Sequence, residues 1–322
     1  MSRTISVQDW LQHIDTEYLS TFVKDGGASI RFTVVADDSV GDLHEAVGRR
    51  CLALDYVFVP LDAVTLRAHM PQDIFFGIAR RLDWRQLARR RVLRLAAELD
   101  YAVDGVDPRA TGDVFEAIAA ANGLESKFVL NATRRQIQDH VFKSPGMARD
   151  FRVAMTHLCL SEGAPDNGEY AGQPVLDWLK GDNTRISSVR PYGIYAGINR
   201  TTARYLIESV LYWIRDAGHS GTVVLLDNRR VTLARNPRDG VRYYTRAMAM
   251  DHYELLREFV DDVDRLAGTL MLVATDAGFV DGPRSFDIYE ALKTRVMDDV
   301  RDRNLVNPVA SLVRLSQGEP AA

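Results

Sequence analysis

Residues 36–44, which read ADDSVGDLH, have the spacing of a loop that binds phosphate groups. Such a loop needs glycines so that backbone N–H groups can close on phosphate oxygens, a lysine to neutralise charge, and a serine or threonine hydroxyl for Mg²⁺. In this register the last glycine is Gly41 and the first is replaced by Ala36, while Asp42 stands at the lysine position and Leu43 at the hydroxyl position. The loop therefore has the outline of a nucleotide site without the groups that would hold the nucleotide.

Three carboxylates surround this loop, those of Asp37, Asp38 and Asp42. The dipole of the following helix favours negative charge at its start, but the same charge repels a triphosphate placed there. We therefore expect the binding of ATP and Mg²⁺ to be weak or absent, and we predict no other cofactor.

A second position with the same character lies at the end of the apolar stretch VVLLDN. In nucleotide-hydrolysing enzymes of this type an aspartate at the end of a buried strand holds Mg²⁺, and in many of them a glutamate follows it and activates water. Here Asp227 is present, but Asn228 follows it. An amide does not accept a proton near neutral pH, so Asn228 cannot act as a general base.

The elements that must position these residues alternate between strand and helix. Residues 30–35 predict a strand before the loop, and apolar residues spaced through 43–52 predict a helix after it. Further strands are predicted at 56–61, 221–226 and 269–274, with an edge strand at 307–315. Helices are predicted at 5–24, 72–82, 199–218, 248–266 and 286–303. This alternation predicts the α/β class, with a parallel central sheet covered by helices.

The middle of the chain has no strand pattern between residues 84 and 179. Helical patterns are found there at 85–103, 111–123, 131–142, 147–161 and 173–179. We interpret this region as a large helical insertion in the α/β fold. The predicted division is 1–84 for the N-terminal helix and the first half of the α/β domain, 85–185 for the insertion, and 186–322 for the second half.

The chain resembles the P-loop ATP-binding proteins of BREX-type phage-defence islands, a branch of the AAA+-like ATPases. The resemblance rests on residues 36–44 with the trailing His44, on 178–181 (WLKG), on the stretch YLIESVLYWIRDAGHSGTVVLLDN, on LMLVATDAGF and on 289–295 (YEALKTR). It implies the three-layer fold of P-loop NTPases. Against the family pattern, both nucleotide-binding motifs of this chain are degenerate.

The same resemblance places further residues in the degenerate nucleotide site. Ser39 lies inside the loop, and Thr275 and Arg295 fall where such an ATPase carries sensor residues for the γ-phosphate. Without a nucleotide to sense, we interpret Thr275 as a strand-end hydroxyl and Arg295 as a surface or ion-paired arginine.

Two kinds of basic surface are candidates for contact with DNA or a protein partner. Arg85, Arg89, Arg90 and Arg91 crowd one helix, which predicts either a solvated face or a contact with DNA phosphates. Arginine mixed with tyrosine suits both base stacking and protein interfaces. These mixed positions are Arg190, Tyr192, Tyr195, Arg200, Tyr243 and Tyr244.

Composition sets limits on function. The 322 residues are 46% hydrophobic and carry a net charge of -4, so the chain is globular and has no global attraction to nucleic acid. Two cysteines far apart and seven scattered histidines predict no disulfide framework and no metal site. The sequence contains no apolar segment long enough to predict a membrane span, so a cytoplasmic location is expected.

These observations favour a catalytically inactive pseudo-ATPase that acts as a scaffold or regulatory subunit in a bacterial defence or DNA-transaction complex. Its expected partner is a protein, in a homo-oligomer or a hetero-oligomer. One alternative is a DNA-binding protein of a protection or self-resistance type that uses the arginine and tyrosine surfaces. Another is an atypical ATPase with displaced catalytic groups.

Overall fold

A computed structural model describes residues 4–36, 39–163, 170–297 and 307–316 of the chain. The described residues fold as two compact units. The α/β unit contains the residues up to Ile74 and those from His219 onward, and the helical unit spans Phe75–Gly218.

The described part of the α/β unit contains a sheet of six strands, all paired in parallel. The strands are β1 (Ile5–Ser6), β2 (Ala28–Val34), β3 (Tyr56–Asp62), β4 (Gly221–Asp227), β5 (Thr269–Thr275) and β6 (Leu312–Ser316). Their order across the sheet is β1-β6-β2-β5-β4-β3. β4 and β5 are continuous apolar runs buried on both faces, as expected for central strands of a parallel sheet.

The α-helices are, in chain order, α1 (Val7–Ile14), α2 (Val40–Ala53), α3 (Pro71–Ala79), α4 (Trp84–Ala97), α5 (Val114–Asn122), α6 (Ser126–Gln136), α7 (Arg149–Ser161), α8 (Gln173–Lys180), α9 (Ile186–Val189), α10 (Ala203–Asp216), α11 (Arg246–Asp261), α12 (Ala277–Asp281) and α13 (Glu290–Val296). Wider π-helical turns continue α1 over Asp15–Phe22 and α6 over Ile137–Phe142.

Helices cover both faces of the sheet. On one face Trp10 of α1 and Leu43 of α2 belong to a buried cluster with Leu272 of β5. On the other face Phe279 of α12 stacks on Phe32 of β2 with ring centroids 5.7 Å apart, and Tyr253 of α11 packs edge-on against Phe279. Two helical layers around one parallel sheet give the three-layer architecture of a P-loop NTPase-like fold, so the predicted fold class is confirmed.

The helical unit lies in the chain between β3 and β4, and its described residues contain helices and no strand. The predicted helical insertion is therefore confirmed. The unit runs beyond both ends of the predicted segment 85–185, and the division of the chain at residues 84 and 185 stays a prediction.

Three predicted elements differ from the structure. The segment predicted as one helix over 5–24 begins with β1, and the Ser6 hydroxyl then accepts a hydrogen bond from the backbone N–H of Asp9 at 3.0 Å, which caps α1. The predicted edge strand 307–315 is wrong in its position, because β6 pairs with β2 on one side and with β1 on the other. Of the helix predicted over 286–303, the described part forms a 3₁₀ turn at Phe286–Ile288 and then α13, and residues 298–303 lie outside the described ranges.

Candidate functional site

The sheet register brings the ends of three strands to one edge. Val34 of β2 is paired with Thr275 of β5, and Asp227 of β4 is paired with Ala274 of β5. The pairing continues past the strands, because the backbone N–H of Asn228 donates to the carbonyl oxygen of Ala274 at 2.7 Å. The carboxyl edge of a parallel sheet is where α/β folds place their ligand sites. The loop that follows β2 leaves the sheet at this edge, beside the ends of β4 and β5.

The loop between β2 and α2 is described only at its two ends. Ala36 is exposed, Ser39 is buried, and the backbone N–H of Ser39 donates to the carbonyl oxygen of Ala36 at 3.0 Å. Asp37 and Asp38 lie outside the described residues. The structure thus places the start of α2 a short distance along the chain from the end of β2.

The first turn of α2 presents the side chains that replace the phosphate-binding groups. Asp42 is exposed at this end of the helix, next to Gly41, which is also exposed. Leu43 is fully buried in the core between α2 and the sheet. His44 is exposed and lies edge-on against Phe58 of β3 with ring centroids 5.1 Å apart. This turn offers a carboxylate and a buried apolar side chain where Mg-ATP needs a cation and a hydroxyl, so these residues do not fit that ligand.

The Asp227 carboxylate is held by an arginine two residues further along the chain. The Arg229 guanidinium donates from Nη2 to Oδ2 at 2.7 Å and from Nε to Oδ1 at 3.0 Å, and its backbone N–H also donates to Oδ1 at 3.1 Å. A guanidinium fork on a carboxylate is a strong, charge-neutralising pair. Arg229 was not among the predicted site residues, although its position two residues after the strand-end aspartate is visible in the sequence.

Asn228 and Thr275 are fully buried at the same edge of the sheet. Because side chains alternate along a strand, Asn228 lies on the opposite face of β4 from Asp227. Within the described chain, no hydrogen-bond partner lies within reach of the side-chain amide of Asn228 or of the Thr275 hydroxyl. A buried polar group without a partner costs free energy, and because both side chains are fully buried, neither is an exposed catalytic group.

Arg295 is an ion-paired arginine of α13. Its guanidinium contacts the Asp261 carboxylate of α11, with Nη2 3.0 Å from Oδ2, and Nη1 donates to the Ala291 carbonyl oxygen at 2.6 Å. The hydrogen bond from Arg295 lowers the pKa of Asp261, and Arg257 lowers it further. The interpretation of Arg295 as an ion-paired arginine therefore agrees with its geometry.

The basic run on α4 is not a solvated face. Arg89 is 3% exposed, and its Nη1 lies 2.7 Å from the Gly112 carbonyl oxygen and 3.3 Å from the carboxylate of Glu162. Arg85 also pairs with Glu162, at 3.1 Å, and the Tyr170 hydroxyl donates to the same carboxylate at 2.7 Å. The Glu162 side chain is fully buried, so this glutamate supplies the counter-charge of Arg85 and Arg89 inside the helical unit.

The remaining arginines of α4 hold the end of α10. Arg90 donates to the Gly218 carbonyl oxygen at 3.1 Å and Arg94 to the Asp216 carbonyl oxygen at 2.9 Å, while Arg91 pairs with the Asp216 carboxylate at 2.9 Å. Cations at a helix C-terminus satisfy its open carbonyl groups and complement its dipole. The prediction that Arg89 and Arg91 contact DNA is therefore wrong, because both side chains are buried in internal pairs, and Arg85 and Arg90 also bind inside this unit.

The mixed tyrosine and arginine positions divide into exposed and buried groups. Arg190, Tyr195 and Arg200 are exposed, whereas Tyr192 is partly buried with its hydroxyl 3.3 Å from the Ala171 carbonyl oxygen. Tyr243 is partly buried under the guanidinium of Arg284, 4.7 Å from the ring centroid.

Tyr244 has no exposed surface. Its hydroxyl lies 2.8 Å from the Leu66 carbonyl oxygen and 2.9 Å from that of Ala63, and it accepts the backbone N–H of Ala68 at 2.9 Å. The prediction of Tyr244 as a contact for DNA or a partner is wrong, because its ring and hydroxyl are used inside the α/β unit.

The described residues were considered as metal ligands and as reactive thiols. No group of three or more His, Cys, Asp or Glu side chains is placed there to hold a metal ion. Cys51 and Cys159 are buried, and burial raises the pKa of the Cys51 thiol to about 12 and that of Cys159 in the same direction. A thiol with a raised pKa is a poor nucleophile. Among the helices that the structure describes, none is long and apolar enough to span a membrane.

The sequence was compared with protein families and with individual proteins. Residues 111–321 match the family described as BREX system ATP-binding protein BrxC/D. The matched region includes Asp227, Asn228, Thr275 and Arg295, and it does not include the loop at 36–44. A search of curated proteins and a search of solved structures gave no match. Because the family match covers more than half of the chain, the protein belongs to the BrxC/D family of BREX system ATP-binding proteins.

Proposed function

We propose that this chain is a nucleotide-independent member of its family, a pseudo-ATPase that serves as a scaffold or regulatory subunit of a BREX-type defence assembly. The observation that carries the proposal is the pairing of the Asp227 carboxylate with Arg229. The aspartate that would hold Mg²⁺ is already neutralised by a cation of its own chain. Asp42 and Leu43 in the first turn of α2 support the proposal from the end of β2, which β5 separates from β4.

The sizes of the charge effects favour loss of nucleotide binding. Two unit charges 4 Å apart interact by about 4 kcal/mol at the effective dielectric constant typical of a protein surface. An aspartate at the position of the lysine replaces that attraction for phosphate by repulsion. Water screens this effect at the exposed Asp42, but its sign is unfavourable for a triphosphate. An Mg²⁺ ion would also have to displace the Arg229 fork before it reached Asp227.

Calorimetric titration of the chain with Mg-ATP tests this proposal. We expect no heat of binding up to millimolar nucleotide and no rise of the melting temperature, because a ligand stabilises a protein only as far as it binds the folded state. Asp42→Lys restores a cation at the start of α2, with Asp42→Asn as the matched neutral control. Micromolar affinity of the unaltered chain for Mg-ATP would overturn the proposal.

The regulatory role is tested with an active ATPase of the same defence system as the partner. We expect the chain to change the ATP turnover of that partner, and we expect Asp227→Ala in this chain to leave the change intact. The retained Asp227 is the one feature that favours an atypical ATPase instead. If Asp227→Ala abolished the effect, or if the chain alone hydrolysed ATP, the chain would use its own metal site and the atypical ATPase would replace the pseudo-ATPase.

A further inference from the structure

The connection between β4 and α11 concentrates positive charge. Residues 229–246, which we name the arginine loop, contain six arginines and a single acidic residue, Asp239. The chain as a whole carries a net charge of -4. A local patch of this strength sets the electrostatic potential of its own surface in spite of the opposite net charge.

Arg230 stabilises the conformation of the loop and neutralises Asp239, the acidic residue of the loop. Arg230 binds the Asp239 carboxylate with both Nη atoms at 2.7 Å, and it also donates to the carbonyl oxygens of Arg242 at 2.7 Å and Val241 at 2.9 Å. The Arg230 side chain is only 9% exposed. The hydrogen bond from Arg230 lowers the pKa of Asp239 to about 2, so the pair stays charged and closed at physiological pH.

Further contacts order the rest of the loop. The Tyr243 hydroxyl donates to the Ala234 carbonyl oxygen at 3.1 Å, and the guanidinium of Arg284 covers the Tyr243 ring at 4.7 Å. The Asn236 side chain accepts the backbone N–H of Arg238 at 2.9 Å, and Arg238 has a positive φ of 57° in the turn. The loop is therefore pre-organised, and less conformational entropy is lost when a ligand binds it.

Four arginines of the loop are exposed to solvent. Because Arg229 is paired with Asp227 and Arg230 with Asp239, the exposed cations of the loop are Arg235, Arg238, Arg242 and Arg246. Asp251 is an exposed carboxylate on α11, the helix that Arg246 begins, so it adds one negative charge close to the loop. Three to four positive charges thus face solvent from one ordered loop.

We propose that the arginine loop binds the phosphate backbone of duplex DNA. Guanidinium groups match phosphate oxygens bidentately, and four of them on one loop suit a repeating polyanion. Val241, 37% exposed, is the large apolar side chain that this loop exposes. The charged side chains that the loop exposes are mostly cations, and several like charges on one surface match a repeating polyanion, so charge complementarity favours the phosphate backbone of nucleic acid. This inference does not rest on the loss of ATP binding.

Fluorescence anisotropy with a labelled duplex of about 20 base pairs tests the proposal. Neutralising four phosphate contacts predicts a slope of log K against log salt of about -3.6, which weakens binding roughly a hundred-fold between about 50 and about 200 mM salt. We expect the variant R235Q/R238Q/R242Q/R246Q to lose at least about tenfold in affinity and most of that slope. The matched control, R109Q/R134Q/R135Q/R185Q, removes the same number of exposed arginines from the helical unit and should bind like the unaltered chain.

Three outcomes would overturn the proposal. They are the absence of duplex binding at about 50 mM salt, equal losses in the two quadruple variants, and equally tight binding of a poly-glutamate peptide of the same charge as the duplex. If the loop variant proves unstable by thermal melting, the single variants Arg235→Gln and Arg238→Gln replace it. Each single variant should lower the salt slope by about 1, and an unchanged slope in both counts against the loop.

Discussion

The guanidinium of Arg229 closes on both carboxylate oxygens of Asp227, with Nη2 2.7 Å from Oδ2 and Nε 3.0 Å from Oδ1. The two side chains are 23% and 19% exposed, so the pair lies at the rim of the sheet and not in the core. The Arg229 side chain of the same chain is thus the counter-charge of the Asp227 carboxylate, which would otherwise be free to bind a divalent metal ion.

Arg229→Ala should free this carboxylate at a small cost in stability. Because water partly screens the pair, we expect the free energy of unfolding to fall by no more than about 1 kcal/mol. We expect the variant to bind Mn²⁺ or Mg²⁺ more tightly than the unaltered chain does, as measured by calorimetric titration. Arg229→Lys, which keeps the charge without the fork, serves as the control, and weaker metal binding by the alanine variant would contradict this account.

Glu162→Gln should destabilise the helical unit strongly. Arg89 is 3% exposed and its carboxylate partner is fully buried, so the neutral amide leaves a buried guanidinium without a counter-charge. Breaking such a pair costs about 3–5 kcal/mol, which urea denaturation can measure. Glu98→Gln is the matched control, because Glu98 pairs with Arg91 but is 46% exposed, and its loss should cost under about 1 kcal/mol. Similar losses in the two variants would show that the pair of Glu162 is not buried in solution.

Tyr244→Phe should destabilise the α/β unit. The hydroxyl is buried, and its removal leaves the Ala68 N–H and the carbonyl oxygens of Ala63 and Leu66 without this partner. A loss of about 1–3 kcal/mol in the free energy of unfolding is expected. Tyr243→Phe, at the partly buried neighbour, should cost less. A large effect of Tyr244→Phe on duplex affinity, with stability unchanged, would contradict the buried position of this residue.

Protonation of His252 should lower stability in mildly acidic solution. The imidazole is buried, its Nδ1 lies 2.9 Å from the Ala68 carbonyl oxygen, and burial lowers its pKa from 6.5 to about 4. Since the unfolded chain binds the proton more readily, this contribution is complete above about pH 6.5 and is lost as the pH falls towards 4. The shift corresponds to up to about 3 kcal/mol.

The pH dependence of unfolding in His252→Asn measures this effect. The variant should show a shallower loss of stability between pH 6.5 and 4 than the unaltered chain. The neighbouring His69 has a pKa that burial also lowers, so it contributes with the same sign in both proteins. Equal slopes in the two proteins would contradict a buried neutral His252.

Local patterns in the sequence predicted those parts of the fold that depend on neighbouring residues. β4 and β5 are unbroken apolar runs, and most helices of the helical unit show helical spacing, so their types follow from the chain itself. β1 has only two residues, which is too short for any pattern to predict it. The interior position of β6 could not be predicted either, because the strand that pairs with its outer edge is the two-residue β1.

The site and the basic surfaces depend on contacts between residues distant in sequence. Arg89 and Glu162 are 73 positions apart, so charge counting on α4 alone predicted an exposed face where the structure has a buried pair. The Tyr244 hydroxyl bonds to a turn 178 positions away. By contrast, the departures from the nucleotide-binding motifs at Asp42, Leu43 and Asn228 could be recognised in the sequence alone. A motif specifies which residue type is expected at each position, so a different residue there is apparent without a structure.

The position of β6 between β1 and β2 has a consequence for synthesis on the ribosome. The backbone N–H of Phe32 donates to the carbonyl oxygen of Ser311 at 2.8 Å, and the side chains of Arg31 and Ser311 meet across 280 positions of the chain. At a translation rate of roughly 5–20 residues per second, β2 leaves the ribosome about 15–60 seconds before its partner is made. During that time the outer edge of β2 is an open template for other strands, so the nascent chain is most prone to aggregation in the interval before β6 closes the sheet.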